Sequence, residues 1–363
     1  MTTALNELFA VDRLFSAEEL AIAATVRDFV ARDITPHLAG WYETGEIPAR
    51  DLARVLGGLG VLGMHLQGYD CAGTSAKAYG LACLELEAAD SGLRSLVSVQ
   101  GSLAMFAIWR WGSEEQKQQW LPQMARGEAI GCFGLTEPDY GSNPGGMRTR
   151  ARRDGDDWIL NGNKMWITNA SVADVAVVWA QTGEQGDARG VRGFVVPTDT
   201  PGFSAPAIKH KLSLRASVTG ELVLDNVRLP ASALLPEAEG LRGPLSCLNE
   251  ARFGIVFGAM GAARDCLQTA IAYSGEREIF DRPLSGFQLT QAKIADMALE
   301  YGKGVLLAAQ LGELKDAGTL TSEQISLGKL NNVREAINIA RTSRTILGAA
   351  GITLEFPIMR HAN

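Results

Sequence analysis

Between Gly131 and Gly146 the chain reads GCFGLTEPDYGSNPGG. Apolar residues of strand character, Cys132 to Leu135, run into a hydroxyl, an acid and a proline at Thr136-Glu137-Pro138, and then into glycine-rich turns. Such a strand end presents backbone donors and short hydroxyls, which suit a flat molecule with a polar edge. A second stretch, Gly58-Leu-Gly60-Val-Leu-Gly63, has the G-x-G-x-x-G spacing of dinucleotide-binding turns. That fingerprint needs a strand before it and a helix after it. Asp51 to Leu56 reads instead as the end of a helix, and His65-Leu-Gln-Gly68 reads as loop. The glycines therefore mark a helix C-terminus, where permissive residues are common.

The elements that must position the first stretch follow from the rest of the chain. With 363 residues there is room for two or three structural units and a large core. A hydrophobic fraction of 46% and a charged fraction of 21% fit a soluble globular protein. The net charge of -7, with no basic stripe to offset it, argues against nucleic acid as a partner. Arg148, Arg150, Arg152 and Arg153 form the one dense basic run, and Asp154, Asp156 and Asp157 follow it, as in a solvated hairpin.

Five cysteines without a C-x-x-C pair read as reduced, mostly buried thiols. The compartment expected is reducing: the cytoplasm, or the mitochondrial matrix for a processed eukaryotic chain. The four histidines share no metal-ligand spacing, so no metal site is expected. No signal peptide and no run long enough to span a membrane is seen.

Residues 1–128 read as helical. Ser16-Ala-Glu-Glu19 is a capping box, and Ile22, Val26, Phe29 and Val30 then follow one helix face until Thr35-Pro36. Ser113-Glu-Glu-Gln116 caps another helix, closed near Arg126-Gly127. Over 129–237 the period changes to two. Trp158 to Leu160, Asn161-Gly162 and Met165 to Thr168 read as strand, turn and strand. Asp174 to Ala180, Gly193 to Val196 and Glu221 to Leu224 read as further strands. Over 238–363 helices return, with long ones at Gln288 to Leu314 and Ser322 to Leu347. Leu330, Val333, Ile337 and Ala340 recur at helical spacing. The class is α+β, because the βαβ alternation of a doubly wound sheet is missing.

Four segments in this order, CFGLTEPDYGS, KMWITNASVADVAVVWA, KLSLRASVTGE and CLNEARFGI, resemble the acyl-CoA dehydrogenase family of flavoenzymes, and most of all its glutaryl-CoA-specific branch. The likeness runs from about Ser16 to Asn363. It implies an N-terminal helical domain, a middle β-barrel domain and a C-terminal helical bundle. It also implies bound FAD, a homotetramer built from dimers, and an electron-transferring flavoprotein as the electron acceptor.

By the resemblance, Phe133, Leu135 and Thr136 touch the flavin, and Ser142 contacts flavin phosphate or CoA. Trp166, Ile167 and Thr168 cover the other side of the ring. Arg277, Phe280, Gln288 and Gly348 reach the FAD of a neighbouring subunit. Two residues there depart from the family pattern: Asp281 stands for a usual glycine, and Ala349 for the second glycine of Gly348-Ala-Ala-Gly351. A carboxylate beside a pyrophosphate is unfavourable, and an added methyl restricts backbone approach.

On the substrate side the resemblance assigns Arg94, Ser95 and Ser98 to the far carboxylate of a dicarboxylic acyl-CoA, and Glu87 to the decarboxylating members. The guanidinium fork matches a carboxylate bidentately. Arg94 can equally tie two helices together by pairing with Glu87 or Asp90. Asn249, Glu250 and Arg252 match the segment along the thioester. The implied reaction takes glutaryl-CoA to crotonyl-CoA and CO2. Some branches carry their catalytic glutamate directly before this arginine, where Ala251 stands here, and Glu250 is one residue out of phase for that role. The usual base, in a Tyr-Glu-Gly motif with the final helix, is expected beyond Asn363, which reads as truncation.

Overall fold

A computed structural model describes residues 2–363, with side chains from Leu5 onward. The first segment is helical: Thr2–Phe9 (α1), Ala17–Phe29 (α2), Leu38–Thr44 (α3), Ala49–Gly58 (α4), Ala76–Ala89 (α5), Ser91–Ser98 (α6), Phe106–Trp111 (α7) and Glu114–Ala125 (α8). Both capping boxes form: Ser16 accepts from the Glu19 amide and Ser113 from the Gln116 amide, and each acid or amide side chain answers its cap's own N–H. The α4 helix ends at Gly58, and Gly60 and Gly63 take positive φ behind it, as a helix stop requires.

The β segment holds Gly131–Gly134 (β1), Arg150–Asp154 (β2), Asp157–Thr168 (β3), Val175–Gln181 (β4), Val191–Pro197 (β5), Phe203–Ser204 (β6) and Thr219–Pro230 (β7). They make one sheet in the order β1-β4-β2-β3-β7-β6, with β5 on the other side of β4. Strand β4 is buried on both faces. Ala176, Val178 and Ala180 point into a cluster enclosed by the curled sheet, while Val175, Val177 and Trp179 pack on α7 and α8. That second contact fastens the sheet to the helices.

Asn161-Gly162 is not a hairpin turn. Residues 157–168 form one strand, paired with β7, with its register slipping at Leu160/Gly162 and again at Lys164/Ile167. The Gly162 backbone lies so close to Thr149 that a Cβ would approach its Oγ1 to 2.5 Å, so the glycine marks a close approach rather than a reversal. The hairpin sits earlier, at Asp154–Asp157, within the basic and acidic run.

The last segment holds Arg242–Glu276 (α9), a small hairpin of Glu278–Ile279 (β8) and Arg282–Pro283 (β9), then Gln288–Asp316 (α10), Ser322–Leu347 (α11) and Ile358–Ala362 (α12). Helices α9, α10 and α11 share a single core with α2 and α5, so the two helical segments fuse. Helix α11 buries Ile325, Ile339 and Ile346. Of the recurring apolar residues on it only Ala340 is in the core, and Leu330 and Val333 face outward, 62% and 42% exposed.

Candidate active site

A cleft of about 290 Å³ opens where β1, β3, α9 and the segment after α6 meet. That volume lies at the small end of ligand pockets, roughly 300–1,000 Å³, and suits one ring system rather than a whole dinucleotide. Phe133, Leu135, Thr136, Ser142, Trp166, Ile167, Thr168 and Arg252 all line it. Val99, Leu103, Leu245 and Leu248 complete the apolar wall, and no carboxylate lines it among the described residues. Val99 to Met105 is a π-helical turn in an otherwise continuous helix, a device common at functional sites. No sequence signal marks it, so Val99 and Leu103 could not have been named beforehand.

Local folding sets the walls. The Met165 amide donates to the Thr136 carbonyl at 2.9 Å, which holds the end of β1 against β3. One residue on, Trp166 has φ 63 and is 57% exposed. A bulky residue in that region costs on the order of 1–3 kcal/mol and persists only where its surroundings enforce it. The pairing slip at Lys164/Ile167 is what turns the indole onto the cleft. Below, the side chain of Lys164 is fully buried and donates to Glu137 at 2.8 Å and to the Leu135 carbonyl at 3.1 Å. Burial pushes the Lys164 ammonium down to about 8 against the pull of Glu137. Burial also pushes Glu137 up, but Lys164 together with the Thr149 and Arg148 amides outweighs it and holds the carboxyl below its ordinary value.

Glu87, Arg94, Ser95 and Ser98 do not line the cleft. Ser91-Gly-Leu-Arg-Ser95 lies wholly within α6, one residue after α5 ends. The break is Asp90 alone, in extended conformation, whose side chain caps α6 by accepting from the Gly92 amide. Arg94 and Ser95 therefore stand on α6, a turn before Val99. Arg94 donates to Glu87 through Nε at 2.6 Å and Nη2 at 3.3 Å, and Ser91 donates to the same carboxylate at 2.9 Å. Glu87 is buried and the Arg94 side chain is largely covered. Ser98 is buried, and nearby the Tyr79 hydroxyl and Ser102 share a 2.7 Å bond. The pair is roofed by bare backbone: a Cβ on Gly258 of α9 would lie 1.9 Å from Glu87 Oε2.

Of the thioester segment, only Arg252 reaches the cleft, with its Nη1 donating to Asn249 at 2.7 Å. Glu250 points away, and its carboxylate accepts from Lys315 at 2.7 Å. His65 Nε2 lies 3.9 Å from Glu250, beyond hydrogen-bond reach, and neither ring nitrogen has a partner among the described residues. The ring packs on Tyr79 with centroids 4.4 Å apart. Burial pushes His65 down to about 4, with Glu250 opposing and Lys315 assisting, so the imidazole is neutral and its approach to Glu250 is no ion pair.

A titration prediction arises from this. Between pH 6.5 and about 4 the unfolded chain protonates His65 and the folded chain does not. The contribution is therefore present above pH 6.5 and lost as pH falls, by about 3 kcal/mol in all. Denaturant unfolding across this window should show that slope, and His65→Phe should flatten it.

Arg277, Phe280, Gln288 and Gly348 do not line the cleft. Arg277 caps α9, Phe280 tips the β8–β9 hairpin at 88% exposure, Gln288 starts α10 and Gly348 ends α11, all on the surface. Asp281 has φ 60 within that hairpin turn, a conformation glycine adopts freely and aspartate tolerates.

Comparison with known proteins agrees with this geometry. Three domain families, described as acyl-CoA dehydrogenase N-terminal, middle and C-terminal domains, match residues 16–128, 132–227 and 238–363. A crystal structure of glutaryl-CoA dehydrogenase from Mycobacterium smegmatis is 71% identical, with a TM-score of 0.96, over 99% of this chain and 92% of that one. A structure of a glutaryl-CoA dehydrogenase from the same organism, in complex with FADH2, is 69% identical with a TM-score of 0.97 and the same coverage. The human mitochondrial short-chain specific acyl-CoA dehydrogenase is 36% identical over 93% of this chain and 82% of its own length. The matched domains, in this order and over nearly the whole length, place the chain in the acyl-CoA dehydrogenase family.

Proposed function

We propose that this protein is an FAD-dependent dehydrogenase of glutaryl-CoA that also decarboxylates its product, giving crotonyl-CoA and CO2. The observation that carries the reading is the largely covered Arg94, on the same helical run as the cleft residues Val99 and Leu103. A fork of donors at the closed end of an acyl pocket selects a substrate with a second carboxylate. The donor set of the cleft fits the flavin ring: Trp166, Phe133 and Leu135 offer flat apolar walls, and Thr136, Ser142 and Thr168 offer hydroxyls at the rim. Bound FAD supplies the two-electron hydride acceptor. The chain's own residues orient the acyl group, with Arg94 at its far end, and exclude water with Leu245 and Leu248. Glu250, fixed by Lys315 and turned from the cleft, is not the α-proton acceptor.

We also assign a homotetramer with an electron-transferring flavoprotein as acceptor. Supporting the first are the outward apolar face of α11 and the exposed Phe280, both suited to cover by another copy. Five unpaired thiols suit a reducing compartment, the cytoplasm or the matrix.

One observation favours a second reading. Glu87 already occupies the Arg94 fork through two bonds, as a plain helix tie would, and that suits a monocarboxylic short-chain thioester. Anaerobic titration of the full-length, FAD-loaded protein separates the readings. Glutaryl-CoA should bleach the flavin and release CO2, with butyryl-CoA far slower. Preference for butyryl-CoA supports the second reading, and no bleaching by either thioester rejects both.

A further inference from the structure

The Lys164–Glu137 pair lies outside the cleft yet ties together three of the segments that shape it: the end of β1, the stretch up to Thr149, and β3. Glu137 Oε2 accepts from the Arg148 amide at 2.6 Å, and Oε1 accepts from the Thr149 amide at 2.9 Å and from Lys164. The stretch 138–147, which brings Gly141, Ser142 and Pro144 to the cleft, is thus clasped at both ends by one carboxylate. Lys164 bonds back to the carbonyl of Leu135, itself a wall residue, and stands two residues before Trp166. Its stem runs past Gly134, where a Cβ would come within 3.3 Å of Lys164 Cγ.

Charge here is not explained by stability. Replacing a buried ion pair by well-packed apolar groups is often neutral or stabilising. What apolar groups cannot do is accept from two amides of one segment while donating to the carbonyl of another. We propose that Lys164 and Glu137 are positioning residues: together they hold the two walls and the rim of the flavin cleft at the spacing the ring needs, before the ring arrives. This rests on the reading of the cleft as a flavin site.

The test compares wild type, Lys164→Met, Glu137→Gln and the double variant, each as full-length protein freed of flavin. The readouts are the thermal midpoint without flavin, the FAD dissociation constant by flavin fluorescence, and the shape of the bound flavin's visible band. Each single variant leaves one buried charge uncompensated and should lose both stability and flavin. The double variant should regain its midpoint yet bind FAD at least about tenfold more weakly, the worth of one charge-assisted hydrogen bond, with a band resembling free FAD. Recovery of affinity along with the midpoint would show a purely structural pair and overturn the proposal. Hydrogen exchange in wild type supplies a check that needs no variant. The Arg148 and Thr149 amides should be protected equally with and without FAD, and protection only after FAD is added would also overturn it. Failure of wild type to bind FAD rejects the flavin reading itself, a separate outcome.

Discussion

Arg94→Met, combined with Glu87→Gln so that no lone charge is buried, should lower kcat/KM for glutaryl-CoA by about 10²- to 10³-fold. Butyryl-CoA turnover should change less than about threefold. The first figure is the loss of a bidentate, charge-assisted contact worth about 1.5–3 kcal/mol together with the cost of leaving a carboxylate in a dry pocket without a partner. The second follows because a substrate without a far carboxylate has nothing for the guanidinium to grip. The Arg94 side chain is only 11% exposed, so water cannot take over the contact. Steady-state kinetics on both thioesters settle the matter. Equal losses on both would mean that Arg94 shapes the pocket without reading its occupant.

The second large effect is on folding. Glu85, buried between α5 and α9, accepts from Arg264 at 2.9 and 2.5 Å and from Arg27 at 3.2 and 2.8 Å. Burial pushes this carboxyl up, but Arg264 and then Arg27 outweigh it and hold it below its ordinary range. Arg264 is itself buried and has no other carboxylate bonded to it among the described residues. Glu85→Ala should cost about 3–5 kcal/mol, the usual result of stranding a buried charge. Adding Arg264→Met should restore most of it. Urea unfolding measures both, and a loss below about 1 kcal/mol for the single variant would mean that solvent reaches Arg264. The same carboxylate predicts an acid limb. Its stabilisation is full above its unfolded pKa and disappears as pH falls through the lower folded value.

Local rules made much of this legible. Capping boxes at Ser16 and Ser113 predicted helix starts because the cap is a matter of three residues. The expected span of α11, Ser322 to Leu347, matches the observed helix, which stops at Gly348, where φ of 60° and ψ of -130° favour glycine. Ordered motifs pointed to eight residues that the fold gathers round one cleft. Failures came where tertiary contact overrides local signal. Asn161-Gly162 looks like a turn, but pressure from Thr149 makes it a kink in one strand. The burial of the Lys164 and His65 side chains was invisible, since a lysine in a strand and a histidine in a loop are ordinarily solvated. The apolar repeat on α11 carried no indication of which neighbour it faces.

Gly258 gives the surroundings of the Glu87–Arg94 pair an unusual property. A wall made of side chains can yield by turning a rotamer, but here main chain presses on the Glu87 carboxylate, and at Gly261 a Cβ would lie 1.9 Å from the Leu84 carbonyl. Two rods locked at two successive contacts have no soft joint between them. Widening the space beside Glu87 would mean sliding a 35-residue helix as a body, so the spacing of α5 and α9 is a fixed dimension of this scaffold rather than an adjustable one.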